Sequence, residues 1–361
     1  MALIKINTRS IPDAAVTPAK VSQNLGRRNL FINGAMQVAQ RATSQASISS
    51  AGYYVQDRFK VNTNDAGVWT QTQESLTTSD TPFQNGFTQA LKLDCTTASA
   101  SLNAAGTLQI NQAIEGYNLQ RLGSGSSSAK SITVSFWIKA TKTGTNVLAS
   151  YQDDGGKQVA TTYTINVSNT WEFKTVTLPA NTANAVVNDN TRGRLVTWYF
   201  AAGSNRTSGT LRNTWTAYAV GDEAVGQVNH ADNVANNIHI TGIQVEVGDI
   251  ATDFEHRSFG EELQLCQRYF QKVLDQNRVD VMRKSGTSAG HYLSYFQEMR
   301  AAPTLSLTRN STIYGPINTG AGTGGLDPAQ NRSTGFLLYI YTSGTDVQVG
   351  AVCTVTAAAE L

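Results

Sequence analysis

The chain carries four histidines, His230, His239, His256 and His291. None stands in the HExxH or HxE spacing that seats a metal, and no GxSxG elbow, Walker loop or strand-GxGxxG-helix pattern occurs. Gly320-Ala321-Gly322-Thr323-Gly324-Gly325 lacks the lysine, the preceding strand and the following helix of a phosphate cradle. It reads as part of a glycine-rich loop, Ile317–Pro328. Glycoside hydrolysis needs two carboxylates a few ångströms apart. Asp153 and Asp154 fall in an Asp-Asp-Gly-Gly turn. There the short acid serves the turn itself, with a calcium ligand as the alternative. Glu261 and Glu262 open a helix, where negative charge suits the dipole. Asp57-Arg58 reads as a structural ion pair. No acid–base pair emerges, so the expectation is a protein without catalysis, cofactor or metal. Cys95, Cys266 and Cys353 are too scattered for a metal knuckle or a disulfide framework. They read as buried small apolar residues of a protein folded in a reducing compartment.

Recognition is the better-supported chemistry. Sugar-binding surfaces pair a flat aromatic body with amide, hydroxyl and charged side chains. Strand alternation places Trp137 on the polar face of Ile132–Lys139, whereas Trp69, Trp171, Trp198 and Trp215 read as core. Lys139 shares the Trp137 face, and His239 and Glu246 occupy the polar face of a later strand. Trp137, Lys139, His239 and Glu246 are therefore the candidate ligand group, provided that the two strands share a sheet.

These residues need a β scaffold, and the composition supplies one. Of 361 residues only 15% are charged, with 28 Lys plus Arg against 26 Asp plus Glu, a net +2. A balance so near zero gives no electrostatic footprint for nucleic acid. No run of about 20 apolar residues is present to cross a membrane, and the first residues lack a signal-peptide core. Thr, Asn and Gly in place of Glu and Lys indicate strands and turns. Ile132, Val134, Phe136 and Ile138 alternate cleanly. Ile238–Val247 does the same with a phase slip at Gly242, which predicts a β-bulge. Tyr53–Val61, Phe87–Asp94, Trp171–Leu178, Arg194–Ala201 and Trp215–Val220 are further strands. Many short strands with regular turn signals mean a sandwich or barrel over 29–257.

Ser258 and Glu261 have capping-box spacing. Phe259, Leu263, Cys266, Phe270 and Val273 follow as one apolar stripe, predicting a connecting helix over 258–277. The stripe suits packing on its own domain or an oligomer seam. Residues 278–361 read as a small C-terminal β domain. Residues 1–28 cannot build a core. They are either a disordered arm or a segment in which Ile4, Ile6, Ile11, Val16 and Val21 order against other chains.

Three motifs carry a family resemblance across essentially the whole chain. The first is Asn29-Leu30-Phe31-Ile32-Asn33-Gly34-Ala35-Met36-Gln37-Val38-Ala39-Gln40-Arg41, followed by Tyr54-Val55-Gln56-Asp57-Arg58-Phe59. The second is Ile240–Gly248, leading into Ala251-Thr252-Asp253-Phe254-Glu255-His256-Arg257 and Cys266-Gln267-Arg268-Tyr269-Phe270. The third is Met299-Arg300-Ala301-Ala302-Pro303-Thr304. In these the chain resembles virion fibre and appendage proteins of marine cyanophages and related phages. It departs at Phe59, where Trp is usual, and at Asp253, where Pro is frequent. The resemblance implies an all-β chain: an antiparallel jelly-roll sandwich similar to carbohydrate-binding modules, a connecting helix and a C-terminal β domain. It implies location in the virion, commonly as a homotrimer, with residues 1–28 docking to other virion proteins and a surface meeting host polysaccharide. A purely structural head fibre, capsid decoration or tail adaptor is the alternative, and a tailspike-like depolymerase is a third. No catalytic residue carries over from the family.

Overall fold

Alternation decides the architecture. Ile132, Val134, Phe136 and Ile138 are fully buried, while Trp137 and Lys139 between them are only partly covered. The computed structural model describes residues 27–281, 288–309, 323–327, 332–341 and 349–361. The arm positions Ile4, Ile6, Ile11, Val16 and Val21 lie outside them.

Two six-stranded antiparallel sheets form a jelly-roll sandwich. With strands numbered along the chain, the first sheet has the order β1 (Ser44–Ile48), β3 (Val68–Ser75), β4 (Gln89–Thr97), β12 (Asn237–Val247), β6 (Ile132–Ala140) and β9 (Glu172–Leu178). The second runs β11 (Thr216–Ala217), β8 (Lys157–Ile165), β7 (Gly144–Gln152), β10 (Arg192–Ala202), β5 (Thr107–Glu115) and β2 (Lys60–Asn64). Between them Trp198 meets Phe31 and Phe136 edge-on, at centroid separations of 5.9 and 5.6 Å. Such pairs contribute about 0.5–1.5 kcal/mol each beyond simple burial.

The Gly242 bulge is present. The β12–β6 register shifts between Thr241 and Gln244, and Gly242 sits at φ +62°. The first and second sequence motifs meet beside it. Leu30 N–H donates to Val245 O at 2.7 Å, and a side chain at Gly34 would strike Ile243 O. Asn33 then closes the first motif, its Nδ2 donating to Val38 O (2.8 Å) and Asp57 O (3.0 Å).

The expected helix is shorter than 258–277. Ser258 caps it, its hydroxyl accepting from Glu261 N–H, but it runs only Phe259–Gln267. Phe270 and Val273 belong instead to β13 (Phe270–Val281), whose pairing with β18 (Val349–Ala358) shifts register twice. Those irregularities interrupt the period of two and imitate helical spacing. The stripe is therefore not one surface: Cys266, Phe270 and Val273 are buried, Leu263 is half-buried and Phe259 is exposed.

The C-terminal part is two three-stranded sheets. One is β13-β18-β15, with β15 at Thr304–Arg309; the other is β14-β17-β16, with Ser288–Ser294, Gly335–Tyr341 and Thr323–Asp327. The last of these corrects the loop expected over Ile317–Pro328. Thr323–Asp327 pairs along β17, and the remainder of that loop lies outside the described residues.

Asp57 and Arg58 are not each other's ion-pair partner. Adjacent residues point to different neighbours, so Asp57 pairs with Arg41 at 3.3 Å and Arg58 with Glu360.

Candidate functional site

The predicted ligand group is largely assembled, yet most of it is occupied. Lys139 lies opposite His239, and Trp137 opposite Thr241, on the outer face of the first sheet. Lys139 Nζ stands 5.0 Å from the Trp171 ring centre and 3.8 Å from Asp80 Oδ1. His239 is bound to Glu74 through Nδ1. Trp137 packs with Phe87, Trp171 and Phe254 over this face. Glu246 does not join them. Its carboxylate accepts from Thr252 N–H (2.8 Å) and Thr252 Oγ1 (2.7 Å), folding the loop after β12. Of this surface, Phe173 stays open, tilted against Trp137 at 5.2 Å.

The outer face of the second sheet is different. Val61, Leu108, Ile110, Leu148, Val159, Val196 and Trp198 point into the core. The residues between them must point away from it. Register then sets Tyr199, Gln109 and Asn62 in one row across the strands. Ala149, Thr197 and Asn111 form the next row, and Gln158, Tyr151 and Leu195 a third. Together they floor a cavity of about 300 Å³. Asn62, Gln109, Asn111 and Thr197 make no side-chain hydrogen bond to another described residue.

The walls are tied down. Tyr218 meets Tyr151 edge-on at 5.3 Å, and its hydroxyl donates to Glu223 Oε1 at 2.8 Å. Glu223 also holds Arg206. Arg192 grips Asp153 with two bonds, Nε to Oδ2 at 2.8 Å and Nη2 to Oδ1 at 2.7 Å. Asp154 accepts from Val187 N–H at 2.9 Å. Both aspartates of the turn thus do structural work. Gln158 Nε2 donates to Ala219 O (2.9 Å), anchoring the loop that carries Tyr218. Burial, with the Glu223 bond and charge, pushes the Tyr218 hydroxyl up to about 12. Burial and the same charge hold Tyr199 protonated well above the ordinary phenol range. The walls therefore present neutral phenols and paired guanidinium groups.

A larger cavity of about 640 Å³ lies where the chain enters the sandwich, near Arg121 and Arg257. There Arg121 donates to the carbonyls of Arg27 and Arg28, both at 2.9 Å, so it fastens the entering chain. Among the described residues, no group of three or more His, Cys, Asp or Glu side chains could hold a metal ion. No described helix is long and apolar enough to cross a membrane.

Sequence reading does not reach the second-sheet trough. Its floor comes from five strands and its wall from the loop after β10, so no local spacing marks it. The available signal is the Gln109-Ile110-Asn111 alternation in β5, which sets amides on one face.

No family model matches the chain, and no curated protein matches it. Among solved structures, the enzymatically active domain of tailspike protein 4 from bacteriophage CBA120 aligns at 13% identity and TM-score 0.31. That alignment covers 61% of this chain but only 21% of the tailspike chain. The carbohydrate-binding module TmCBM61, solved with β-1,4-galactotriose, aligns at 11% identity and TM-score 0.28, covering 61% of this chain and 99% of the module. A family 11 carbohydrate-binding module from Clostridium thermocellum, solved with a mixed-linked tetrasaccharide, aligns at 9% identity and TM-score 0.26, with coverages of 59% and 98%.

Proposed function

We propose that the protein is a non-catalytic glycan-binding component of a phage appendage, and that the trough on the second sheet holds the sugar. One observation carries the reading. The cavity floor offers amides and a hydroxyl with no side-chain partner among the described residues, beside Tyr151 and Tyr218. A sugar ring needs both: donors and acceptors for its hydroxyls, and an aromatic body for its C–H face. Binding without cleavage fits the wall chemistry. Glu223, the one carboxylate among the lining residues, is engaged by Arg206 and Tyr218, whereas hydrolysis requires a pair of free carboxyl groups. The appendage setting, the homotrimer and the docking arm rest on the sequence motifs.

The test is binding of the full chain to a panel of host-surface glycans. Tyr151→Ala and Asn111→Ala should each weaken binding about tenfold, the scale of one lost stacking or hydrogen-bond contact. Phe173→Ala, on the other sheet, should leave it unchanged. Binding that is insensitive to both trough variants, or absent altogether, removes the reading. Release of reducing ends would replace it with an enzymatic one. Deleting residues 1–28 should leave glycan binding intact while the protein fails to enter virions.

A further inference from the structure

Two cations line the trough, and each is paired with a carboxylate. Asp153 grips one edge of the Arg192 guanidinium, Nε and Nη2 (2.8 and 2.7 Å), and Glu223 holds Arg206 through Nη1. Arg192, Arg206 and Glu223 line the cavity, and Asp153 borders it through Arg192. The Arg192 and Asp153 side chains are 35% and 33% exposed, and those of Arg206 and Glu223 are 25% and 13% exposed. Both pairs are part-buried, and the Arg192 pair is bidentate. Besides fastening the walls, the two pairs decide what charge the cavity offers to a ligand. Arginine is the side chain best suited to grip a planar carboxylate through two parallel bonds. A free Arg192 or Arg206 beside the amide floor would select uronic-acid sugars.

We propose that Asp153 and Glu223 are specificity residues that mask these arginines and restrict the trough to neutral glycans. The inference deepens the glycan-binding reading and rests on it. Each carboxylate acts in two ways. It takes up part of the guanidinium's donors and offsets its charge, and it repels the charge of an acidic sugar. A neutral sugar is spared both effects, because its hydroxyls bond to Asn62, Gln109, Asn111 and Thr197, which have no side-chain partner among the described residues. The second carboxylate also fixes a wall. Glu223 accepts from the Tyr218 hydroxyl, so Tyr218 is positioned by the same group that masks Arg206.

The experiment compares neutral polysaccharides with uronate-containing ones of matched size, using the full chain and its Asp153→Asn and Glu223→Gln variants. Wild type should bind the neutral class and discriminate against the uronates. Each variant should gain uronate affinity by about tenfold or more, the worth of one charge-assisted bidentate contact. The gain should shrink as salt is raised. Glutamine at 223 can still accept from Tyr218, so Glu223→Gln should retain neutral binding. Retained neutral binding also reports that the variant is folded. The double variant Asp153→Asn/Arg192→Gln should lose the gain, which identifies the exposed guanidinium as its source. Wild type binding both classes equally overturns the proposal while leaving the trough as a glycan site. So does neutral binding by a folded variant that gains no uronate affinity. No binding of either class by wild type overturns the trough reading, and the proposal with it.

Discussion

Asp57 sits in the sandwich without access to water, and burial pushes its carboxyl up to about 7. Arg41 and the Gln40 hydrogen bond pull the other way without prevailing. An unfolded aspartate titrates near pH ~4. Between those two values the folded chain keeps a proton that the unfolded chain releases, so stability falls as pH rises from about 4 through 7. The melting temperature should therefore decline between pH 5 and pH 8. In Asp57→Asn, which cannot ionise, that part of the decline should vanish. An unchanged pH slope in the variant would mean that Asp57 is already charged in the fold. Trp137, Lys139 and His239 give the corresponding lesson for recognition. Alternation along two strands was enough to place them on one face, because a side chain's face in a strand depends only on parity. Whether that face stays open depends on Phe87, Trp171 and Phe254, which arrive from other parts of the chain.

At the level of elements, Gly242 is the position where a single atom matters most. Its φ of +62° disfavours any side chain, and a Cβ there would meet the Phe87 ring at 2.7 Å. Gly242→Ala should cost about 1–3 kcal/mol, the scale of a strained backbone position, readable as a lower denaturation midpoint. A neutral result would mean that the bulge relaxes when substituted. Gly242 was legible because the apolar phase slips around it. β6, β9, β10 and β12 were legible because their buried faces are apolar. β5 and β7 were not. β7 turns Asn146, Ser150 and Gln152 into the sandwich, where Asn146 serves His230 and Gln227, and Gln152 serves Asn184. β5 is buried at every one of its nine positions, and its alternating amides floor a cavity instead of facing open solvent. The helix was legible at its start, where Ser258 caps it. Its end was not, because the irregular pairing of β13 with β18 imitates helical spacing.

The two β parts are joined by an ionic cluster. Arg58, 1% exposed, pairs with Glu360 while its guanidinium carbon lies 3.4 Å from the Tyr269 ring centre. Arg41 pairs with both Asp57 (3.3 Å) and Glu360 (3.0 Å). Arg300 donates to Asn190 O (2.8 Å) and Ala359 O (2.9 Å), and Tyr53 donates to Leu361 O (3.0 Å). Removing one partner of a buried pair leaves the other uncompensated, typically at a cost of about 3–5 kcal/mol. Glu360→Gln should therefore destabilise the sandwich itself, well away from β18, as read by amide exchange in β5 and β10. Loss of protection confined to the C-terminal sheets would show the two parts to be independent. The trough is built within the chain, but from strands distant in sequence.

Arg58 and Glu360 are 302 residues apart. At about 5–20 residues per second, a ribosome that has just made Arg58 needs roughly 15–60 s to reach Glu360. Throughout that interval the nascent sandwich must either leave Arg58 in water or enclose it without its carboxylate. Balanced closure therefore waits for residue 360, and a product terminated before it inherits an uncompensated charge in its core. The ion pair thereby orders folding in time: the sandwich cannot close on a balanced charge before residue 360 has been made.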